Sequence, residues 1–582
     1  MLRVADFIVK CLEQEGIEYV FGEIGHTVAP LCDALYDSGI RYISTRHEQI
    51  GAHAADAYAR VSNKPGVLLL HVGPGLANGA IGVANAAVDG IPMIVLAGDV
   101  PSYHFGKEPF QELRLHADAS QFEVFKPFVK RAWRVHRADA MPDIMAHAFN
   151  AALSGRPGPV LIDLPMDLVL ERIDAKVPEL AKRRPTGEQI VGDLSAIAQA
   201  ARLLVEAERA VIYTDGLAMT QEAGPEITAL AEYLGIPVAS TGLGKGLIPE
   251  DHALSVGVTG LRGSGVAHEL TRTADVLLAV GTTFPEVESS SWDQERIFVI
   301  PPTKLIQVDS EAREIGKIYP VEVGIVGHCK GTLAELLRQV KEITPRRPWE
   351  NSARTQEIAG KMAEWNAQFE EPYASDAVPI VPDRVVKEVR DLLPKDGIVV
   401  TDVGFNKYIV HQQMPFFEPQ TMISPGSFAP MGFGGPAALG AKLAQPDKPV
   451  VALVGDGGFS AVESTLTTAV EYNIPAVWVV MNNYVYGVVV PIQKARYGGR
   501  MIGTEFKDPD GEWYNPDFAA VAQAHGMAGQ RIEKPGDFKP ALEKALDSGK
   551  PYLLDVIVSP QAAAPMIGIW DMFFLHEQRE GS

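Results

Sequence analysis

The chain has 582 residues, with 52 basic against 73 acidic side chains and a net charge of −21. At roughly 150 residues per domain, that length calls for three or four domains, and 46% hydrophobic with 21% charged residues excludes long disorder. So acidic a surface disfavours nucleic acid as a partner, no apolar run nears the roughly 18 residues of a spanning helix, and Cys11, Cys32 and Cys329 are too scattered for a disulfide framework or a zinc site. The N-terminal Met1-Leu2-Arg3-Val4-Ala5-Asp6 carries charge where a signal peptide needs an apolar stretch, so the expected location is the cytoplasm.

Short apolar runs alternate with Ala-rich helical runs along nearly the whole chain. In order they are Val67–Leu70, Met93–Leu96, Val160–Asp163, Val211–Tyr213, Val276–Val280, Gly397–Val400, Val450–Val454 and Ala476–Val480. Near-continuous apolar strands separated by helices mean parallel sheets covered on both faces. The expected fold class is therefore α/β, with three doubly wound parallel-sheet domains. Two polar stretches, Ala175 to Gly187 and Ile343 to about Asp376, read as linkers or surface-crossing connections. They place domains at 1–175, 188–343 and 376–560, followed by a tail, 561–582. Its apolar cluster Ile567-Gly568-Ile569-Trp570-Asp571-Met572-Phe573-Phe574 needs something to pack on.

In the first domain, His26 lies on the loop after an apolar strand, in Gly22-Glu23-Ile24-Gly25-His26-Thr27. Glu48 opens an Ala-rich helix after Arg41–Thr45, where a glutamate ordinarily serves the helix dipole. His71 ends a strand before Gly73-Pro74-Gly75, and His116 comes after Phe110-Gln111-Glu112. Most histidines in a chain with 14 are hydrogen-bonded structural residues. Three on the strand ends of one domain still point to polar groups around a substrate, able to bind a carbonyl or move a proton. In the middle domain, Gly216, Thr241-Gly242-Leu243-Gly244-Lys245, Gly281-Thr282-Thr283 and Gln307-Val308-Asp309 line strand ends. Structural turns explain these glycines nearly as well as a nucleotide does.

The third domain carries the sharpest signal. A strand runs into Gly455-Asp456-Gly457-Gly458-Phe459-Ser460, and a second strand ends in Asn482-Asn483, 27 residues beyond Asp456. Glycines between a strand and a helix let backbone N–H groups approach a phosphate. Asp456 and Asn483, at two parallel strand ends, suit a hard cation such as Mg²⁺ that keeps phosphate and water oxygens.

This pair resembles the thiamine diphosphate signature, and the likeness runs over essentially the whole chain. It is closest to the pyruvate oxidase and acetolactate synthase superfamily, with pyrimidine, middle and diphosphate domains in that order. The resemblance implies that Asp456, Asn483 and the backbone carbonyl of Val485 hold Mg²⁺. It implies that Gly404, Asn406 and Gly458, with Gly455 and Gly457 in the same loop, lie against the diphosphate. Met431 would bend the cofactor, and the Ala429 carbonyl would accept from its aminopyrimidine. Glu48 matches the family's activating glutamate at the pyrimidine N1′. Since the pyrimidine domain serves a neighbouring subunit in that family, the assembly implied is a homodimer at least, and a homotetramer by preference.

Aligned on Phe125-Lys126-Pro127, His116 falls where many relatives carry an active-site glutamine; Gln121, just before that tripeptide, is expected with Ile492 to face the substrate. Pro491 fits a helix start, which places Ile492 and Gln493 at the beginning of a short helix over the thiazolium. Gly25-His26-Thr27-Val28-Ala29-Pro30-Leu31 and Thr45-Arg46-His47-Glu48 are most similar to 2-hydroxyacyl-CoA lyases. Such enzymes cleave a 2-hydroxyacyl-CoA to formyl-CoA and an aldehyde or ketone, with catalytic roles here expected for Glu48, His26, His71, His116 and Gln493. Some carry a glutamate near Gln493, and an amide cannot replace it as a base. The alternative is a 2-oxoacid decarboxylase or carboligase of acetolactate synthase or benzoylformate decarboxylase type; an inactive scaffold of the same fold is a third reading. The resemblance further implies ADP or CoA in the middle domain, less readily FAD, and a tail that closes over a CoA thioester as a lid.

Overall fold

The computed structural model describes residues 1–112, 120–178, 190–561 and 564–571. Three six-stranded sheets dominate it, and the strand pairing within each is parallel throughout. The first contains β1 (Tyr19–Gly22), β2 (Arg41–Ser44), β3 (Gly66–Leu70), β4 (Met93–Asp99), β5 (Arg131–Arg134) and β6 (Pro159–Pro165) in the order β2-β1-β3-β4-β6-β5. The second contains β7 (Val211–Thr214), β8 (Val238–Ser240), β9 (Ser255–Val258), β10 (Val276–Val280), β11 (Lys304–Asp309) and β12 (Val323–Val326) in the order β9-β8-β7-β10-β11-β12. The third contains β13 (Ile398–Thr401), β14 (Met422–Ile423), β15 (Val450–Gly455), β16 (Val477–Asn482), β17 (Ala528–Ile532) and β18 (Tyr552–Ile557) in the order β14-β13-β15-β16-β18-β17. The first and third sheets thus share one topology and the middle sheet has another. In both of the former, strand order reverses between the first and third strands, the place where open α/β sheets bind ligands beyond their carboxyl ends.

The apolar runs form strands because helices cover both faces of each sheet, leaving β3 and β4 buried at every residue. The first and third domains meet along α1 (Glu48–Ser62) and α5 (Gly434–Ala444), inside one continuous core. Small residues permit this contact: a Cβ on Gly440 would lie 2.0 Å from the Ala54 carbonyl oxygen. A buried cation joins the same domains. Arg60 pairs with Asp56 at 2.5 Å and, on α2 (Pro74–Asp89), with Asp89 at 2.7 Å, and it donates to the Ser424 carbonyl. Asp89 also accepts from Gly426 N, so the loop toward Ala429 and Met431 is tied to the first domain.

The polar stretch expected as a linker before Asp376 is instead largely helical. Ser352 caps α3 (Ala353–Ala367) by accepting from Thr355 N, and Ile358, Met362 and Trp365 pack onto the middle domain's core. Its apolar residues recur at helical spacing, a period that the flanking prolines and charges mask. The described tail segment does find a surface: Ile567 and Gly568 donate to the Leu261 carbonyl, and the N–H groups of Ile569 and Asp571 reach Ser290 and Ser291. Met572, Phe573 and Phe574 lie outside the described residues. Among the described residues, no helix is long and apolar enough to cross a membrane.

Candidate active site

At its strand ends the third domain gathers buried carboxylates that accept backbone N–H groups. Asp456 follows β15 and is almost fully buried. Its Oδ1 accepts from Gly457 N at 2.9 Å, and its Oδ2 from Tyr484 N at 2.8 Å and Asn515 Nδ2 at 2.7 Å. Burial pushes its carboxyl up to about 6 against those hydrogen bonds. Asn483 follows β16, and its Oδ1 accepts from Val485 N, which turns the chain so that Asp456, Asn483 and Val485 share one corner. Among the described residues, no group of three or more His, Cys, Asp or Glu side chains gathers as a metal cage. One carboxylate, one carboxamide and a carbonyl suit Mg²⁺ when phosphate oxygens complete the shell.

The glycines divide into two kinds. Gly404, at φ 100°, caps the N-terminus of α4 (Phe405–Gln413), and a Cβ there would meet nothing nearer than Val488 at 3.9 Å. Gly455 is equally open, with Asn406 Nδ2 the nearest atom at 3.9 Å, so at neither glycine is the Cβ position filled by protein. Gly457 and Gly458 are glycines for packing, since their Cβ positions are filled by the Tyr486 ring and the Asp402 carboxylate. Asn406, expected to face the phosphates, is buried, donates its amide to the Leu453 carbonyl and borders the open side of Gly455. It holds the start of α4 against β15.

Asp402 is a residue that spacing alone did not single out. It follows β13, is fully buried, and both its oxygens accept from Gly432 N at 3.0–3.1 Å. Burial raises it to about 6. The carboxylate pins the loop that leaves Met431 41% exposed beside Ala429, which has φ 49°. A large apolar side chain held out on a pinned loop fits the role of a cofactor wedge.

Glu48 opens α1 beneath its N-cap, His47, whose Nδ1 accepts from Gln49 N. It is 6% exposed, accepts from Asn78 Nδ2 at 3.0 Å, and abuts Gly75 of the Gly-Pro-Gly turn. Burial, and then the charge of Glu48, raise the neighbouring Glu23 carboxyl. Within the same chain, Ser44 N donates to the Tyr472 hydroxyl and Arg46 pairs with Glu471 at 2.6 Å, so the start of α1 sits on the third domain.

His26 and His71 come together, with ring centroids 4.7 Å apart at 71°. Burial, and then His71, lower His26 from its ordinary range. His71 lies between Thr27 Oγ1 at 2.8 Å and Gln111 Oε1 at 3.1 Å. His116 lies outside the described residues. Gln121 does not face a substrate: it is fully buried, accepts from Gly73 N, and donates to the Gly98 carbonyl and Asp163. It fastens the Gly-Pro-Gly turn to a buried cluster in which Arg134 bridges Asp99 and Asp163. Burial first, and then the charge of Asp163, raise Asp99.

The short helix over this region, α6 (Val489–Arg496), begins two residues earlier than Pro491 implied, because proline also suits the first turn, whose N–H groups lack partners. Half-buried Ile492 and Gln493 sit within it, and Gln493 accepts from Thr504 Oγ1 at 2.6 Å while donating to the Ile502 carbonyl at 3.0 Å. In the middle domain, Asp215 accepts from Gly216 N and Thr241, Lys245 pairs with Glu250, and Gln307 holds the turn at Gly316. Asp309 pairs with Arg156 of the first domain, beside a cavity of about 260 Å³ lined by Gln221, Ser310 and His328.

Three family descriptions match in chain order. "Thiamine pyrophosphate enzyme, N-terminal TPP binding domain" covers residues 2–121, the central domain covers 197–336, and the C-terminal TPP binding domain covers 402–556. Fold, corner and matches together define a thiamine diphosphate-dependent enzyme. The chain is 36% identical to the "Probable acetolactate synthase large subunit" of Methanocaldococcus jannaschii, over 97% of this chain and 93% of that one. It is 32% identical to the acetolactate synthase large subunit of Haemophilus influenzae and 30% to the isozyme 3 large subunit of Escherichia coli K12, each over 94% of this chain and 92% of the other. The chain belongs to the pyruvate oxidase/acetolactate synthase superfamily of thiamine diphosphate enzymes.

Proposed function

We propose that the protein makes and breaks the carbon–carbon bond beside a carbonyl, and that its substrate is a 2-hydroxyacyl-CoA, cleaved reversibly to formyl-CoA and an aldehyde or ketone. The observation that carries this reading is the character of the pyrimidine-domain edge. His26, His71 and Gln111 present imidazole and carboxamide groups, with burial holding His26 toward its neutral form. Such groups can hold the carbonyl and hydroxyl of an acyl thioester, and His26 and His71 would suit a 2-oxoacid as well.

Bound thiamine diphosphate supplies a carbanion at C2 and an electron sink. Asp456, Asn483 and Val485 would hold Mg²⁺, while Gly404 and Gly455 leave room for the diphosphate. Glu48 would keep a proton at the pyrimidine N1′. His26 and His71 would orient the substrate oxygens, and Ile492 on α6 would line the acyl side. An assembly of two or four copies and a tail extending over the thioester belong to the same reading. The cavity beside Asp309 offers the adenine end of CoA, or ADP, a place between two domains.

A second reading has its own support. Each relative reported above is named an acetolactate synthase large subunit, and nothing in those names speaks for a CoA thioester. Under that reading the protein joins two 2-oxoacids with loss of CO₂. The deciding experiment supplies the Mg²⁺–thiamine diphosphate holoenzyme with a 2-hydroxyacyl-CoA in one arm and pyruvate in the other. Formyl-CoA with an equimolar aldehyde or ketone supports the lyase. Acetolactate and CO₂ without CoA-dependent cleavage overturn it in favour of the carboligase.

A further inference from the structure

We infer that Thr27 is a positioning residue that fixes the tautomer of His71, so that His71 meets the substrate as an Nε2–H hydrogen-bond donor. The inference rests on the reading that this edge faces substrate, but the tautomer itself follows from the ring's two partners. Thr27 is 1% exposed, and its Oγ1 lies 2.8 Å from His71 Nδ1. Val72 N donates to the same Oγ1 in a long contact of 3.4 Å, and Nδ1 is the acceptor within reach of the Thr27 hydroxyl proton. On the other side, Gln111 Oε1 lies 3.1 Å from Nε2, and a carboxamide oxygen only accepts. Gln111 Oε1 therefore calls for a proton on Nε2, and a ring protonated there offers Nδ1 as acceptor to the Thr27 hydroxyl.

Two glycines make room for the arrangement. A Cβ on Gly25 would fall 2.3 Å from the His71 ring, and one on Gly98 would fall 2.3 Å from Thr27 Oγ1. Gly25 has an extended backbone that any residue adopts, so the ring itself demands the glycine. Gln111 is half-exposed and held at φ 67°, a conformation that non-glycine residues rarely populate. Its oxygen stands where a substrate carbonyl or hydroxyl oxygen would take the Nε2 proton, and the His26 ring packs 4.7 Å from the His71 ring. Glu48, across Gly75 from the His71 Cβ, makes no hydrogen bond to the ring.

The test is magic-angle-spinning NMR of the holoenzyme labelled with ¹⁵N-histidine, with His71 assigned by difference from His71→Gln. Wild type and Thr27→Ser should show a pyrrole-like Nε2 and a pyridine-like Nδ1, and Thr27→Val a mixed or reversed pattern. With whichever substrate the enzyme accepts, Thr27→Val should lose kcat by about ten- to a hundredfold at nearly constant KM, and Thr27→Ser should recover most of it. A wild-type ring protonated on Nδ1, or a Thr27→Val enzyme unchanged in spectrum and kcat, overturns the inference. Inactivity of the wild type toward both substrates would defeat the functional reading alone, because the wild-type spectrum still decides the tautomer.

Discussion

The first and third domains wind their six strands in the same order, yet their switch points carry opposite chemistry. In the third domain, the turns after β13 and β15 hold Asp402 and Asp456, buried carboxylates gripped by backbone N–H groups. In the first domain, the turns after β1 and β3 hold His26 and His71, joined to each other and to Thr27 and Gln111 through side chains. One edge is a socket of buried carboxylates held by backbone N–H groups; the other is a partly exposed surface of imidazole and carboxamide groups beside Glu48. A shared topology fixes where a ligand sits, and the strand-end side chains decide what is done to it.

The contrast breaks most sharply at Asp456. Asp456→Ala removes the one carboxylate of the metal corner and should weaken thiamine diphosphate affinity by about a hundredfold or more, beyond the usual loss of an outer-shell partner. Titration calorimetry at saturating Mg²⁺ checks it, and unchanged affinity would rule out the corner. Glu48→Gln, on the other edge, should lower turnover by about a hundred- to ten-thousandfold while cofactor affinity stays near wild type. A near-full steady-state rate would remove Glu48 from activation.

Gln493→Glu sharpens the choice of substrate. If a 2-hydroxyacyl-CoA is cleaved, a base near the hydroxyl should raise that rate by about ten- to a thousandfold. The new carboxylate would keep the Thr504 hydroxyl as donor but face the Ile502 carbonyl, which raises its affinity for a proton. With pyruvate the same change should be neutral or harmful. No gain with the CoA ester beside robust carboligation would favour the second reading.

The smallest effect concerns Asp402. Its folded value, about 6, lies above the ordinary carboxylate range, so its contribution to stability is fully present in acid and is lost as pH rises through about 6. The melting temperature of apoprotein should fall by a few degrees between about pH 4 and 6, and Asp402→Asn should reduce that fall. Scanning calorimetry on both proteins measures it; an equal fall in both would remove Asp402 as a contributor.

Much of the architecture was legible because its signals are local. Apolar runs such as Val450–Val454 are buried on both faces, so they read as parallel strands from composition alone. The corner was legible too, since Asp456 and Asn483 end neighbouring strands and a sequence interval describes their convergence. Composition misled over Ala353–Ala367, where polar flanks hid the period of a capped helix. The family resemblance set Gln121 against a substrate, although tertiary packing buries its amide among Gly73, Gly98 and Asp163.

The sequence by itself determined the alternation of strands and helices, the Gly-Asp-Gly and Asn corner, and the acidic residue opening α1, because each depends on residues close together or at a constant interval. Only the tertiary structure decided that Asp402 pins Gly432, that Gln111 and Thr27 share His71, and that Arg60 ties the Met431 loop to the first domain. Those partners lie 30 to 364 residues apart. Nothing in a local pattern names the side chain that will occupy a buried donor or acceptor; the packing of the domains brings it there.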